Sequence, residues 1–300
     1  KVMKSKIHIR NIYELFPESG KTNEMRKKVN CLNINDSDVI IQFSSPVYIN
    51  AFVAILVLSG KGSACVNYKT YPVSAGHLLL LSSSHLFNFV ACTPDFQCLC
   101  LLVSKVFMDE MDSTDMIYRR VKYGVRLYNS PLVELTPDNT VLLADRIQAI
   151  DRTIDQRSHL YYKEKILNSI FAFYLDLSDI IDRYTVIPGE SNLNRYESII
   201  KNFIELLVTH YREEHKVDFY SSRLNLSAHY LTLLVKRVTG QSVCDFIFEM
   251  LYSDARTLLV HSRLSVQEIA AFLNFSDQSA FGKFFKRKSG FSPADYRKQG

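Results

Sequence analysis

The chain has 300 residues, enough for two domains that each hold their own core. Its composition, 47% hydrophobic and 22% charged with few Gly and Pro, excludes a disordered or low-complexity protein. Lys and Arg number 36 against 31 Asp and Glu, and the resulting net charge of +5 is too small to identify a polyanionic partner by itself.

The first thirty residues are polar and aperiodic and read as an arm or lead-in. They hold charge but no following apolar run, so no signal peptide is expected. From Val39 the texture becomes β-rich, with runs at Val39–Phe43, Val47–Leu58, Ser63–Tyr68, His77–Leu81, Phe87–Cys92 and Phe96–Val103. Turn signals such as Ser59-Gly60-Lys61-Gly62 and Thr93-Pro94-Asp95 separate them. Short strands at this spacing predict a sandwich or barrel, whose mouth can hold one small ligand. Tyr48, Asn50, Tyr68 and His85 are the residues expected to line it.

The longest apolar run, Ala51–Leu58, is far too short to span a bilayer, so a cytoplasmic protein with no membrane partner is expected. Six cysteines (Cys31, Cys65, Cys92, Cys98, Cys100 and Cys244) form no Cys-x-x-Cys pair and have no His at zinc-finger spacing. They read as small apolar core residues in a reducing compartment. Cys98 and Cys100 alternate on a strand and share one face. His77 and His85 stand eight apart with no partner carboxylate, so neither a metal nor a cofactor is expected.

Helical periodicity begins after Val103. One short helix is predicted within Val106–Tyr118, and two long amphipathic ones at Asp138–Ser158 and Tyr161–Asp182 form a hairpin. Their apolar surface exceeds what a small barrel needs to cover, so part of it serves either a homodimer or packing against their own barrel. Pro188-Gly189-Glu190-Ser191-Asn192 marks a linker. The expected organisation is therefore a β-plus-helix domain over 1–184, a linker over 185–194, and a helical domain over 195–300.

That last domain holds 15 Lys and Arg against 11 Asp and Glu, nearly all of the net charge. It also contains an internal repeat. Asn225-Leu226-Ser227 matches Asn274-Phe275-Ser276, and, after one inserted residue, Lys236–Phe246 matches Lys286–Tyr296 as Lys-Arg-x-(Thr/Ser)-Gly-x-Ser-x-(Cys/Ala)-Asp-(Phe/Tyr). In the second copy Ser265 and Glu268 form a capping box that opens a helix. Ser276 is placed to cap a second helix, in which Phe281, Phe284 and Phe285 mark the buried face. Gly290 is placed to stop it, and Ser292-Pro293 to start another. Helix, turn and capped second helix with a basic exposed side is the pattern of a helix-turn-helix.

The first copy inherits this reading, with helices at Phe219–Leu224 and Ala228–Val238, and Asp245–His261 forms a helical spacer between the copies. Residues left outward on the second helix of each copy are candidate contacts to double-stranded DNA. They are His229, Thr232, Leu233 and Lys236 in the first copy, and Gln278, Ser279, Gly282, Lys283, Lys286 and Arg287 in the second. Gln suits adenine and Lys guanine in the major groove. The Lys286–Lys288 run suits phosphate, which positions without specifying.

Ala255-Arg256-x-Leu258-Leu259, Leu264-Ser265-Val266-x-Glu268-Ile269-Ala270, Phe275-Ser276-Asp277-Gln278-Ser279-x-Phe281 and Gly290-Phe291-Ser292-Pro293-x-Asp295-Tyr296-Arg297 together resemble the AraC/XylS family of bacterial transcription regulators. The resemblance runs over about Tyr196–Arg297. It implies a seven-helix double helix-turn-helix domain and an N-terminal cupin-like effector and dimerisation domain, giving an α+β two-domain fold. Asn274 departs from the Gly usual in that turn, Met250 from a basic residue before the spacer helix, and Leu233 from a polar base reader. The implied function is sequence-specific transcription regulation, expected to be activation in response to a small-molecule effector, with RNA polymerase as a further expected partner. The alternatives are a regulator without a ligand and, third, a cupin enzyme with a DNA-binding tail. The last needs a metal triad or an acid/base pair that the sequence does not offer, so no enzyme activity is expected.

Overall fold

The computed structural model describes residues 9–16, 23–34, 43–83, 85–111, 130–184, 195–239 and 241–299. They fall into two compact units, the first through residue 184 and the second from residue 195. Among the described residues, no helix is long and apolar enough to cross a membrane.

The first unit is built on two five-stranded sheets. The strands are β1 (Ile9–Arg10), β2 (Val29–Ile34), β3 (Val47–Ile49), β4 (Ala51–Ser59), β5 (Lys61–Val66), β6 (Lys69–Ser74), β7 (His77–Leu81), β8 (Leu86–Cys92), β9 (Gln97–Ser104) and β10 (Leu132–Glu134). One sheet has the order β1-β3-β8-β5-β6 and the other β10-β7-β4-β9-β2. The helices of this unit are α1 (Ile12–Leu15), α2 (Lys105–Met111), α3 (Pro137–Ile154) and α4 (Tyr162–Tyr184). Alternate residues of both sheets share one core: Val53, Ile55 and Val57 of β4 meet Val66, Phe87 and Phe89 of the opposite sheet. Ala54 and Leu56, on the other face of β4, are buried as well, because α3 packs on β2, β4 and β9. Burial on both faces is why β4 reads as a continuous apolar run.

Several elements differ from the sequence expectation. The predicted strand Val47–Leu58 is two strands, and the chain passes from one sheet to the other at Asn50, whose N–H donates to the Arg10 carbonyl. The predicted Ser63–Tyr68 strand ends at Val66, because Asn67 and Tyr68, both at positive φ, form the two-residue turn of the β5–β6 hairpin. The lead-in is not a free arm in its described part: β1 pairs with β3, Ile12 is buried, and β2 pairs along its length with β9. Most of the predicted Val39–Phe43 strand lies outside the described residues, as do the end of Val106–Tyr118 and the predicted linker.

α3 and α4 pack together as the expected hairpin. Arg26 ties the N-terminal segment to α3 by bonding Asp151 at 2.8 Å and Asp155 at 3.0 Å. Cys98 and Cys100 lie on one strand face with their Sγ atoms 3.9 Å apart. The contact with Cys98 and burial together hold the Cys100 thiol protonated well above its ordinary range.

The second unit is helical: α5 (Arg195–His210), α6 (Val217–Arg223), α7 (Ala228–Thr239), α8 (Val243–His261), α9 (Val266–Phe272), α10 (Gln278–Ser289) and α11 (Pro293–Gln299). Among the described residues these seven elements agree with the implied count. α8 has 19 residues, about 28 Å at 1.5 Å per residue, and touches α7 on one side and α9, α10 and α11 on the other. Its residues are buried around more than one face for this reason, Phe246, Ile247, Met250 and Leu251 among them. Met250 is wholly buried, which gives the physical ground for an apolar residue there: an unpaired cation would be stranded away from water.

Candidate nucleic-acid interface

Two helix-turn-helix units, α6–α7 and α9–α10, are built by the same local devices. Each turn contains an Asn in the left-handed region, Asn225 and Asn274, both at φ 55°. Asn tolerates that conformation better than other residues with a Cβ, so it serves where a Gly is usual. Asn274 is held further by an Nδ2 bond of 2.6 Å to the Glu213 carbonyl.

The expected capping box at Ser265 and Glu268 is present in both directions, at 2.7 and 3.2 Å. Its backbone hydrogen bond holds the Glu268 carboxyl below its ordinary range. The cap of α10 is Asp277 rather than the expected Ser276: its Oδ1 accepts from the Ala280 N–H at 2.7 Å. Ser276 instead donates to the Asp277 carboxylate. The carboxylate is the stronger acceptor at a helix N-terminus, and the amide bond lowers its pKa. In the first copy the equivalent cap is Ser227, which accepts from Tyr230 N–H at 3.2 Å. Gly290 ends α10 at φ 81°, as its position predicts.

A step of 50 residues carries the first reader helix onto the second. Ser227 and Asp277 coincide as caps. Leu231, Leu234 and Val235 coincide with Phe281, Phe284 and Phe285, and all six are buried. The outward residues then pair as His229 with Ser279, Thr232 with Gly282, Leu233 with Lys283, Lys236 with Lys286 and Arg237 with Arg287. Thr232 and Gly282 are half-buried and the others exposed, as is Gln278 at the start of α10. The structure thus brings the candidate contacts of each copy onto one open face of its helix. The Arg287 guanidinium also lies 5.9 Å over the Phe248 ring. Tyr230 and Arg237, both exposed on the first reader helix, were not among the expected contacts; the 50-residue step onto Arg287 is the signal that finds Arg237, and only exposure finds Tyr230.

The second copy is locked to the spacer from its far end. Arg297 donates to the Leu259 carbonyl at 2.9 Å and the Leu264 carbonyl at 2.7 Å, one bond at the end of α8 and one in the loop beyond. Tyr211 and Arg212 both donate to Asp254 on α8 at 2.6 Å, fixing the end of α5 to the same spacer.

Gly282 lies in open space, where a Cβ would meet nothing within 4 Å. Gly282→Ala is therefore expected to stabilise this unit by about 1 kcal/mol through helix propensity. If the helix backbone approaches DNA here, the same change weakens binding. Urea unfolding and a titration with labelled duplex, run on one sample, check both signs.

None of the four expected effector residues is among the walls of the gap between the sheets. Tyr48 is half-buried on β3, Asn50 bonds the Asn11 side chain at 3.1 Å, and Tyr68 is 80% exposed at its hairpin turn. His85 is buried and accepts from the Ser82 N–H at 2.9 Å, which fixes a turn. The gap between the two sheets has other walls, among them Phe16, Leu32, Phe43, Phe87, Phe89 and Cys100, and its free space is about 20 Å³, room for about one water. His77 does have a carboxylate opposite it: Glu134 on β10 lies 3.9 Å from its Nε2.

Residues 220–299 match a family model described as a helix-turn-helix domain. The chain is 27% identical over 126 residues to the Msm operon regulatory protein of Streptococcus mutans, covering 42% of this chain and 45% of that one. It is 31% identical over 108 residues to the transcriptional activator RhaS of Escherichia coli, covering 36% and 39%. The matched region spans less than half the length of either relative. Among solved structures, the C-terminal domain of the response regulator AraT from Geobacillus stearothermophilus is 25% identical, covering 36% of this chain and 89% of that domain, with a TM-score of 0.34.

Proposed function

With a C-terminal domain of the AraC/XylS helix-turn-helix type as premise, we propose that the chain is a sequence-specific DNA-binding transcription regulator whose two reader helices enter the major groove in tandem. The observation that carries this is the 50-residue correspondence of α7 and α10: same cap positions, same buried triad, same Lys-Arg pair, same open face. A groove about 12 Å wide admits one such helix, and α8 spaces the two along the duplex. Single-chain tandem readers suit a non-palindromic site.

The experiment is a mobility shift of the full chain on the DNA flanking its own gene. Retardation that weakens linearly in log affinity with log salt is the expected result. Absence of any salt-sensitive binding by folded protein would overturn the reading.

An effector that inserts between the sheets would meet apolar side chains, which suits a small apolar molecule rather than a sugar or an ion. A polar ligand would lose its water there without gaining partners. Such an effector acts by binding one of two arrangements of the protein better than the other. In a thermal-shift screen of the full chain, apolar compounds are expected to raise the melting temperature and sugars to leave it unchanged. The exposed Val141, Phe171 and Leu175 on α3 and α4 support pairing with a second copy.

A further inference from the structure

We infer that the two reader helices select chemically different bases: α7 selects thymine, by apolar contact of Leu233 with the C5 methyl group, and α10 selects through the hydrogen-bonding Lys283. This rests on the DNA-binding function proposed above and adds the base class each half of the site must present.

The argument is positional. In the 50-residue frame three docking features recur: the caps Ser227 and Asp277, the buried triads, and the cationic pairs Lys236-Arg237 and Lys286-Arg287. Two helices docked alike place corresponding side chains against corresponding depths of the groove. Leu233 therefore stands where Lys283 stands, and it is 54% exposed. Tyr230, one turn earlier on the same side at i−3, is 39% exposed and extends the apolar surface, where the second copy has Ala280.

Base chemistry then decides. Guanine presents two acceptors in the major groove, and an aliphatic side chain held against them strips water and returns no bond. Thymine is the base that presents a methyl group there, and Leu gains by covering it. Lys283 has the reverse preference: three N–H donors on a cation suit guanine and are stranded against a methyl. The shared Lys-Arg pair anchors both helices at the same place, with Lys288 added in the second copy, while the readers make the site asymmetric in sequence.

The test begins with duplexes enriched from a random library by the full chain. In an enriched duplex each thymine is replaced in turn by uracil, which lacks only the methyl group. The expected result is one or two positions at which uracil lowers affinity about fourfold, the worth of one buried carbon. Leu233→Ala is expected to bind the thymine and uracil duplexes equally at those positions, and Leu233→Lys to shift the enriched base there from thymine to guanine. Because Leu233 stands outside the buried triad and is 54% exposed, both variants are expected to melt close to the wild type. Uracil tolerance at every thymine, or an unchanged thymine-to-uracil ratio in Leu233→Ala, overturns the inference and leaves DNA binding standing. No enrichment at all overturns the DNA-binding reading itself.

Discussion

Alanine at Lys283 is expected to weaken specific DNA binding by about 1–3 kcal/mol and to relax the preference at one base pair, whereas alanine at Lys286 is expected to weaken binding to all sequences alike and to reduce the salt slope by about one. The two lysines are both exposed and one turn apart, and their charges are equal. What separates them is their place along α10. Lys283 follows the cap by six residues and lies between Ser279 and Lys286 on the open face. Lys286 begins the Lys-Arg-Lys run that closes the helix, where the basic charge of the unit is densest. In the proposed docking the first position would reach base edges and the second phosphate, so one variant is expected to lose discrimination and the other counterion release. A titration of each variant against an enriched and a scrambled duplex at several salt concentrations separates the outcomes. Equal losses on both duplexes for Lys283→Ala would move that residue from reader to anchor.

The second helix-turn-helix was legible because its signals are local. Ser265 with Glu268, the triad of Phe281, Phe284 and Phe285, and Gly290 each act within four residues, and the structure holds the corresponding bonds and burial. The miss at its cap is also local: Ser276 and Asp277 are adjacent candidates, and the longer reach and charge of the carboxylate settle the choice. α5 carries Ile200, Phe203, Ile204 and Leu207 at the spacing of a buried face, and all four are buried, so its periodicity is a local signal of the same kind.

The first unit was less legible because what makes its missing elements is distant in sequence. β1 is two residues and β10 is three, too short for any period, and each exists by pairing with β3 or β7. β2 hides in a polar stretch: Asn30 is wholly buried, and its side chain accepts from Arg26, which is held in turn by Asp151 and Asp155 at the end of α3. No composition rule marks an Asn as interior when the carboxylates that hold its partner lie on a helix far along the chain. The lining of the gap between the sheets was not legible for a related reason. Polar residues near the mouth of a barrel attract attention in a sequence, but Asn50 and His85 spend polar atoms on the chain itself, and the walls are drawn from residues that read as ordinary core.

Phe285→Ala is expected to be the most destabilising of these changes, at about 3–5 kcal/mol. Its ring is fully buried, with the rings of Tyr296 at 5.2 Å, Tyr252 at 5.3 Å and Phe281 at 5.9 Å. Those neighbours belong to α11, α8 and α10, so one side chain joins the reader helix to the spacer and to the terminal helix. A cavity there removes apolar transfer energy and leaves three rings without a common partner. Set against a total of about 5–15 kcal/mol for a domain, the loss empties much of the folded population. In urea, with a slope of about 2 kcal/mol per molar, the transition of this unit should move down by roughly 2 M. Phe285→Leu, which keeps most of the volume, should recover the larger part. DNA binding by Phe285→Ala should fall with the folded fraction and return at low temperature in proportion to the refolded signal. Lys283→Ala should show the opposite dissociation, losing discrimination with an unmoved urea midpoint, because its side chain supports no part of that core. An unmoved midpoint for Phe285→Ala would mean that α10 is held by its caps and by Arg297, not by the aromatic cluster beneath it.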